Sequence, residues 1–410
     1  MKLYIVEVLC SNSKIMNWEV TFLGIKRVSF IDCMRGFSLL GILLANLLIF
    51  QYGIIGKDEI SGLSQLDEGA LYFLKVFVVD SFMPIFTLLF GFSLIKLVES
   101  VHRKGKKSRW VILRRSIGLL ALGWLHSVIW EGDILVIYGV TIPLLILFIH
   151  RKAKTTFIWA GILFVTSTML LYGPSEVSMK QQQRIVTYIE KESHTYVNGT
   201  FAETYDFRKH AEKPGMEDPL VYMANVIFGL VLHLPLFLVG MGLAKVRAFE
   251  NLEQEKKWYM LGALLVPIGL LCKSLGLMEN SFSPMFSLGG AMLLSLGYVC
   301  LAALLYKFWH TSIISQVLEC VGKLSLTNYL MQSIICTTIF YGYGLGLYGK
   351  LGVFNGILLG LIIYSLQCVA SFFYLKKNKR GPFEQNLHMW THWSYPHHLK
   401  QKKQAQQVVC

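Results

Sequence analysis

Apolar runs of roughly twenty residues, separated by short polar connectors, recur between residues 36 and 375, which is the pattern of helices that cross a bilayer. The first run, 36–55, carries no charge, and the second, 71–98, holds Lys75 near one end and Asp80 inside it. Pro84 follows Asp80, so a lost backbone donor and a local helix distortion are expected there. Arg114 and Arg115 then open a hairpin whose first arm is interrupted by Trp130, Glu131, Gly132 and Asp133, and whose second arm ends at His150. Further runs at 155–172, 221–244, 258–277, 284–306, 324–343 and 351–375 bring the expected number of crossings to about ten. Between them, 312–323 is partly polar and reads as a piece near the inner surface, and 173–219 is the longest polar segment, an outside cap or a mobile loop. The expected fold class is all-α, a polytopic integral membrane protein.

Charge orients these crossings. The connector between the second and third runs holds Lys96, Arg103, Lys104, Lys106, Lys107, Arg109, Arg114 and Arg115 against Glu99 alone, and a basic short loop stays in the cytoplasm. Lys26 and Arg27 before the first run, Arg151, Lys152 and Lys154 after the fourth, Lys245 and Arg247 after the sixth, and Lys376, Lys377, Lys379 and Arg380 after the last all fall on the same side if ten runs alternate. Both termini are then cytoplasmic and Glu131 and Asp133 face outward. The expected organisation is a cytoplasmic extension at 1–26, a transmembrane domain at 27–384 containing the extracytoplasmic loop 173–219, and a basic, histidine-rich cytoplasmic tail at 385–410.

Composition agrees: 54% of the 410 residues are hydrophobic and only 16% charged. The net charge of +14 would suggest a nucleic-acid partner in a soluble chain, but here orientation accounts for it, so no nucleic acid is expected and membrane lipids are. Residues 1–24 contain Glu7 within their only apolar run and no small-residue cleavage site, so the first crossing is expected to be its own insertion signal. The eight cysteines are scattered through apolar runs as small hydrophobes, no metal site is expected, and nothing specifies an oligomeric state. The tail histidines His388, His392, His397 and His398 sit among aromatic and basic residues, a composition suited to the inner leaflet.

The polar residues inside the apolar runs carry the candidate chemistry. Asp32 and Arg35 lie one turn apart, and Asn46 returns to nearly the same face eleven residues later, so a polar stripe faces the bundle interior. Asp32 with Arg35 reads either as a structural ion pair or as a pocket in which the carboxylate holds a guanidinium ready for phosphate or carboxylate. Arg114 and Arg115 read as topology signals or as part of the same donor or anion site. His126 shares a helix face with Arg115 and Trp130, roughly 16 Å along the axis from the arginine, and is either a hydrogen-bonded packing group or a catalytic or proton-relay group. Glu131 and Asp133 either cap the next helix or orient that imidazole. Asp80, Asn46, Trp130 and Tyr138 are the expected path-lining residues. Asn328 and Gln332 are expected to bond between helices.

Several motifs resemble the YeiB-like family of bacterial membrane proteins, which carry the domain of unknown function 418. They are D-x-x-R-G at Asp32, Arg35 and Gly36, GILLAN ending at Asn46, PIFTLLFG from Pro84, the Arg114-Arg115 pair, H-x-x-x-W-x-G-D-I-L from His126, LTNYLMQS from Leu326 and GPFE ending at Glu384. More distantly, D-x-x-R-G, the asparagine of the first helix, and Asp80, Pro84 and Phe86 are similar to transmembrane acyltransferases that acetylate sugars from cytosolic acetyl-CoA. That resemblance implies a core through which an acyl group passes from acyl-CoA, a co-substrate rather than a bound cofactor, to an outer small molecule or glycan. Those enzymes place a catalytic histidine in the first outer loop, whereas 51–69 has none, which leaves His126, with Glu131 or Asp133, as the expected base and His233 as second choice. The competing expectation is an exporter of a small anionic or amphipathic solute that uses the same polar stripe.

Overall fold

The computed structural model describes residues 29–105, 107–173, 178–278 and 280–393. The N-terminal extension, Lys106 and the tail histidines His397 and His398 lie outside the described residues. Among those described, the chain is helical throughout, without strands. Helix α1 is Ser29–Tyr52, α2 Gln65–Phe73, α3 Phe82–Arg103, α4 Ser108–Ser127, α5 Leu135–Ile149 and α6 Ala153–Met169. Two polar helices follow, α7 (Met179–Asn198) and α8 (Phe201–His210), and then α9 (Pro219–Lys245), α10 (Lys256–Ala263), α11 (Leu265–Leu275) and α12 (Ser283–Trp309). The chain continues with a short helix α13 (Ile313–Lys323), α14 (Ser325–Phe340), α15 (Val353–Lys377) and α16 (Pro382–His392).

Among the described residues, six segments are long and apolar enough to cross a membrane: Ser29–Tyr52, Gln65–Arg103, Pro219–Lys245, Lys256–Leu275, Ser283–Trp309 and Val353–Lys377. Leu147, Leu271 and Phe308 are 71%, 61% and 81% exposed on these and neighbouring helices, an apolar surface suited to lipid rather than water. The chain is a membrane protein. The other four expected crossings, α4, α5, α6 and α14, are shorter or more polar: α5, α6 and α14 have 15, 17 and 16 residues, and α4 bears Arg109, Arg114 and Arg115.

Close backbone approach sets the packing. Gly36 of α1 faces the Leu318 carbonyl and Gly322 of α13 faces the Asp32 carbonyl, with no room for a Cβ on either glycine. This contact seats Asp32 and Arg35 against α13. Helix α9 packs on α3 and α6, α4 on α5 and α16, and α12 covers α10 and α11. Interhelical hydrogen bonds tie the far side together: Asn328 Nδ2 donates to Ser371 Oγ (2.9 Å), Gln332 Nε2 to Gln367 Oε1 (2.9 Å), and Tyr364 to the Gly36 carbonyl (2.7 Å).

The segment from α2 to α3 is broken where Asp80 and Pro84 predict distortion. A π-turn at Leu74–Val78 ends at Val79, Asp80 has φ +57, and α3 restarts at Phe82 with Pro84 in its first turn, where no helical donor is needed. Lys273 from α11 fills the break, its buried ammonium donating to the Val79 carbonyl and, at 3.1 Å, to Ser81 Oγ. Freed carbonyls in an apolar span need such a donor.

Candidate functional site

A cavity of about 260 Å³ opens between α1, α3, α4, α5, α14 and α16. Arg35 and Arg115 enter it from α1 and α4, Lys323 from the end of α13, and Lys379 and Arg380 from the joint between α15 and α16. Among the described residues Glu384 is the one carboxylate on its lining, against five cationic side chains. The deeper wall is Phe86, Phe90, Tyr138 and Tyr329. Such a lining suits a ligand with an anionic head and an apolar or aromatic remainder.

Each cation is held differently. Arg35 donates to Asp32 Oδ1 at 2.8 Å, with Asp32 only 2% exposed, and also to Ser93 Oγ on α3. Arg115 lies over the Phe90 ring, 5.4 Å from its centroid, a cation–π contact that leaves its N–H fork for a ligand. Arg114 is turned elsewhere: its carbonyl accepts from Trp390 Nε1 (2.7 Å) and its guanidinium lies over Trp393, 5.3 Å away. The two adjacent arginines thus have different environments, because neighbours on a helix diverge by about 100°. Burial and the charge of Arg380 push His388, on the cavity wall, down to about 3, so it is neutral near pH 7 and the positive field comes from the arginines and lysines.

Glu384 does not neutralise that field freely. Its two oxygens accept from Thr327 N (2.9 Å) and Thr327 Oγ1 (2.5 Å), capping the start of α14, and a Cβ on Gly381 would collide with the carboxylate. Glu384→Ala is expected to cost about 0.5–2 kcal/mol and to loosen α16 from the cavity floor. A lower melting temperature in detergent with unchanged helicity is the expected reading; an unchanged one would contradict the capping role.

Tyr329 joins this cavity to the hairpin tip. It lines the cavity, its hydroxyl accepts from Ile134 N at 3.3 Å, and its ring lies 5.2 Å from that of His126. His126 is 3% exposed and its Nδ1 is 2.7 Å from Asp133 Oδ1, while Asp133 Oδ2 accepts from Val136 N at 2.9 Å. A carboxylate oxygen accepts, so Nδ1 is the donor in this pair and Nε2 is the ring nitrogen turned away from Asp133. Among the described residues Nε2 has no hydrogen-bond partner. Asp133 both caps α5 and orients the imidazole.

The remaining expected residues divide. Tyr138 lines the cavity and its hydroxyl is 2.9 Å from Thr87 Oγ1. Trp130 is fully buried and stacked on Phe50 at 4.5 Å, behind the cavity rather than on it. Asn46 is half-buried and Asp80 exposed beside the Lys273 break, and neither is on the lining. His233 of α9 is also off the lining. Glu131 pairs with Lys213 at 2.6 Å, facing α7 and α8 rather than His126. Sequence reasoning missed Tyr329 and Lys323, although Tyr329 stands inside the LTNYLMQS motif, and it treated Lys379 and Arg380 only as orientation signals.

Comparison with known proteins places this architecture. Over 385 residues the chain is 32% identical to the uncharacterized protein YxaH of Bacillus subtilis, covering 88% of this chain and 92% of that protein. The chain belongs to the YeiB family. A family model described as a protein of unknown function, DUF418, matches residues 243–394. The uncharacterized protein YeiB of Escherichia coli is 26% identical over 387 residues (86% of this chain, 93% of YeiB), and an uncharacterized 39.9 kDa protein from the amylase 3′ region of Bacillus acidopullulyticus is 24% identical over 379 residues (90% and 94%). Within this YeiB-family chain the DUF418 match runs from the end of α9 through α16, and so includes Lys323, Tyr329, Lys379, Arg380 and Glu384.

Proposed function

We propose that this YeiB-family protein is a multi-pass protein of the bacterial plasma membrane that transfers an acyl group from a cytosolic donor to an acceptor on the outer side. The observation that carries the reading is the coupling, through Tyr329, of a five-cation cavity to an Asp133-oriented imidazole with a free Nε2. Arg35 and Arg115, with Lys323, Lys379 and Arg380, hold the phosphates of a donor such as acyl-CoA; Asp32 fixes Arg35, and Arg114 braces α16. His126 takes the proton of the acceptor hydroxyl or amine as that group attacks the acyl carbonyl; the acyl–sulfur bond of the donor breaks, and the imidazolium, stabilised by Asp133, returns the proton for the departing thiolate. The acceptor, a small molecule or glycan, approaches from the hairpin tip. The test is transfer of labelled acyl groups from acyl-CoA supplied to the cytoplasmic face of sealed vesicles to material on the opposite face; acyl-CoA that binds without any transfer contradicts the reading.

The reading requires about ten crossings with both ends cytoplasmic and 173–219 outside, supported by the side on which each basic connector falls. A reporter fused after Lys376 is expected to read cytoplasmic and one inserted near Ser193 extracytoplasmic. Both on one side would exclude that topology.

A second reading, export of a small anionic or amphipathic solute, is favoured by the broken α2–α3 segment with Lys273 seated in it, since interrupted helices line substrate paths in many transporters. It predicts accumulation of an intact solute across the membrane with no acyl product.

A further inference from the structure

Helices α7 and α8 fold back over the hairpin tip as a cap. Arg208 Nη2 donates to the Val128 carbonyl (2.7 Å), Lys213 pairs with Glu131 (2.6 Å), and Gly342 N donates to the Tyr196 carbonyl (2.7 Å). Within this interface Glu192 of α7 is 0% exposed, and among the described residues neither of its carboxylate oxygens has a hydrogen-bond partner. Its carboxylate rests against Gly53, which has φ +82 and no room for a side chain. The charged groups that act on it come from the hairpin tip and the cap, Glu131 and Lys213; Arg208 acts on two of the surrounding phenols, Tyr196 and Tyr341. The surrounding phenols are Tyr188 and Tyr196 from its own helix and Tyr341 and Tyr348 from the segment after α14. A second negative charge beside Glu131, with no donor to receive it, is costly in so dry a place.

We propose that Glu192 is a proton-binding site that latches the cap onto the hairpin tip: with its proton the cap stays seated over His126 and Asp133, and without it Glu192 repels Glu131 and competes for Lys213. Burial first, and then Glu131, push Glu192 up to about 8 from the ordinary carboxylate value. In an opened cap the carboxyl regains its ordinary value near 4.5. The closed state therefore binds more protons between those two values, so closure weakens as pH rises through that window and levels off above about 8. Opening increases by up to about tenfold per pH unit inside the window. The proposal stands apart from the chemistry assigned to His126, because a protein without transferase activity would still show it.

The test is amide hydrogen exchange of the full-length protein in detergent or lipid discs, corrected for the intrinsic pH dependence of exchange. In the wild type, protection of 128–134 and 188–198 is expected to fall about tenfold per unit between roughly pH 5 and pH 8 and then flatten. Glu192→Gln, neutral at every pH, is expected to keep the low-pH protection throughout. A wild type whose protection does not change over that range, or a Glu192→Gln variant that follows the wild-type curve, overturns the latch. If the variant does not fold, infrared spectroscopy of glutamate-labelled wild-type protein decides: a protonated carboxyl band that persists to neutral pH and disappears near about pH 8 is required, and its absence at neutral pH overturns the proposal.

Discussion

Replacing Arg115 by alanine is expected to weaken binding of a phosphate-bearing donor about tenfold to a hundredfold while leaving the fold as stable as before or slightly more so. The two halves have one cause. Arg115 projects into the cavity and rests on Phe90, and no carboxylate beside it defines its position, so its removal takes away a charge that the folded state houses at a cost. A charge-assisted hydrogen bond to phosphate contributes about 1.5–3 kcal/mol, which is the size of the expected loss in affinity. Arg115→Lys is expected to recover only part of it, because an ammonium cannot present two parallel donors to one phosphate. Arg35→Ala should lose affinity too, but with lower stability, since it strips a hydrogen-bonding partner from Asp32, which is 2% exposed. Isothermal titration with the donor and melting of the same samples separate the two effects. An Arg115→Ala protein with unchanged affinity would remove the anion site from the cavity.

The alternation of apolar runs made the helical class legible, because long uncharged segments have few other physical solutions. Within one element the site was legible as well: Arg115 and His126, eleven residues apart, do share a face of α4, and Asp32 and Arg35 pair one turn apart on α1. What the sequence hid was convergence. On sequence alone Lys323, Lys379 and Arg380 read as basic residues beside short connectors, so nothing local distinguishes a cation that also lines a cavity from one that only faces water. Arg114 and Arg115 are identical and adjacent, and Trp390 and Trp393 of a distant helix decide which of them the cavity receives. The helix break beside Asp80 was legible from Pro84, but its partner, Lys273, comes from α11 and no local pattern names it. The cap carried a signal that went unread: Tyr188, Glu192 and Tyr196 recur at intervals of four, one face of a helix, in a segment otherwise polar enough to pass for a loop.

The largest expected effect belongs to His126. Acyl transfer to a hydroxyl or amine needs a base within hydrogen-bond reach, and general-base catalysis contributes about 10²–10⁴-fold to the rate. His126→Ala is therefore expected to lower transfer by that factor while expression, membrane insertion and donor binding at the cavity persist, because the side chain touches Tyr329 and Asp133 but none of the cavity cations. Asp133→Asn should give a smaller loss: its amide oxygen can still accept from His126 Nδ1 or from Val136 N, but it no longer offers a charge to stabilise the imidazolium. Tyr329→Phe keeps the ring that packs on the imidazole and loses the hydroxyl that accepts from Ile134 N, so transfer should change little unless that hydroxyl contacts the reacting group. Measured together in vesicles loaded with labelled acyl-CoA, the three variants rank His126→Ala below Asp133→Asn below Tyr329→Phe. Full transfer by His126→Ala would leave the dyad as packing and shift the weight to solute export, whose signature, an intact solute moved across the membrane, the same vesicles can report.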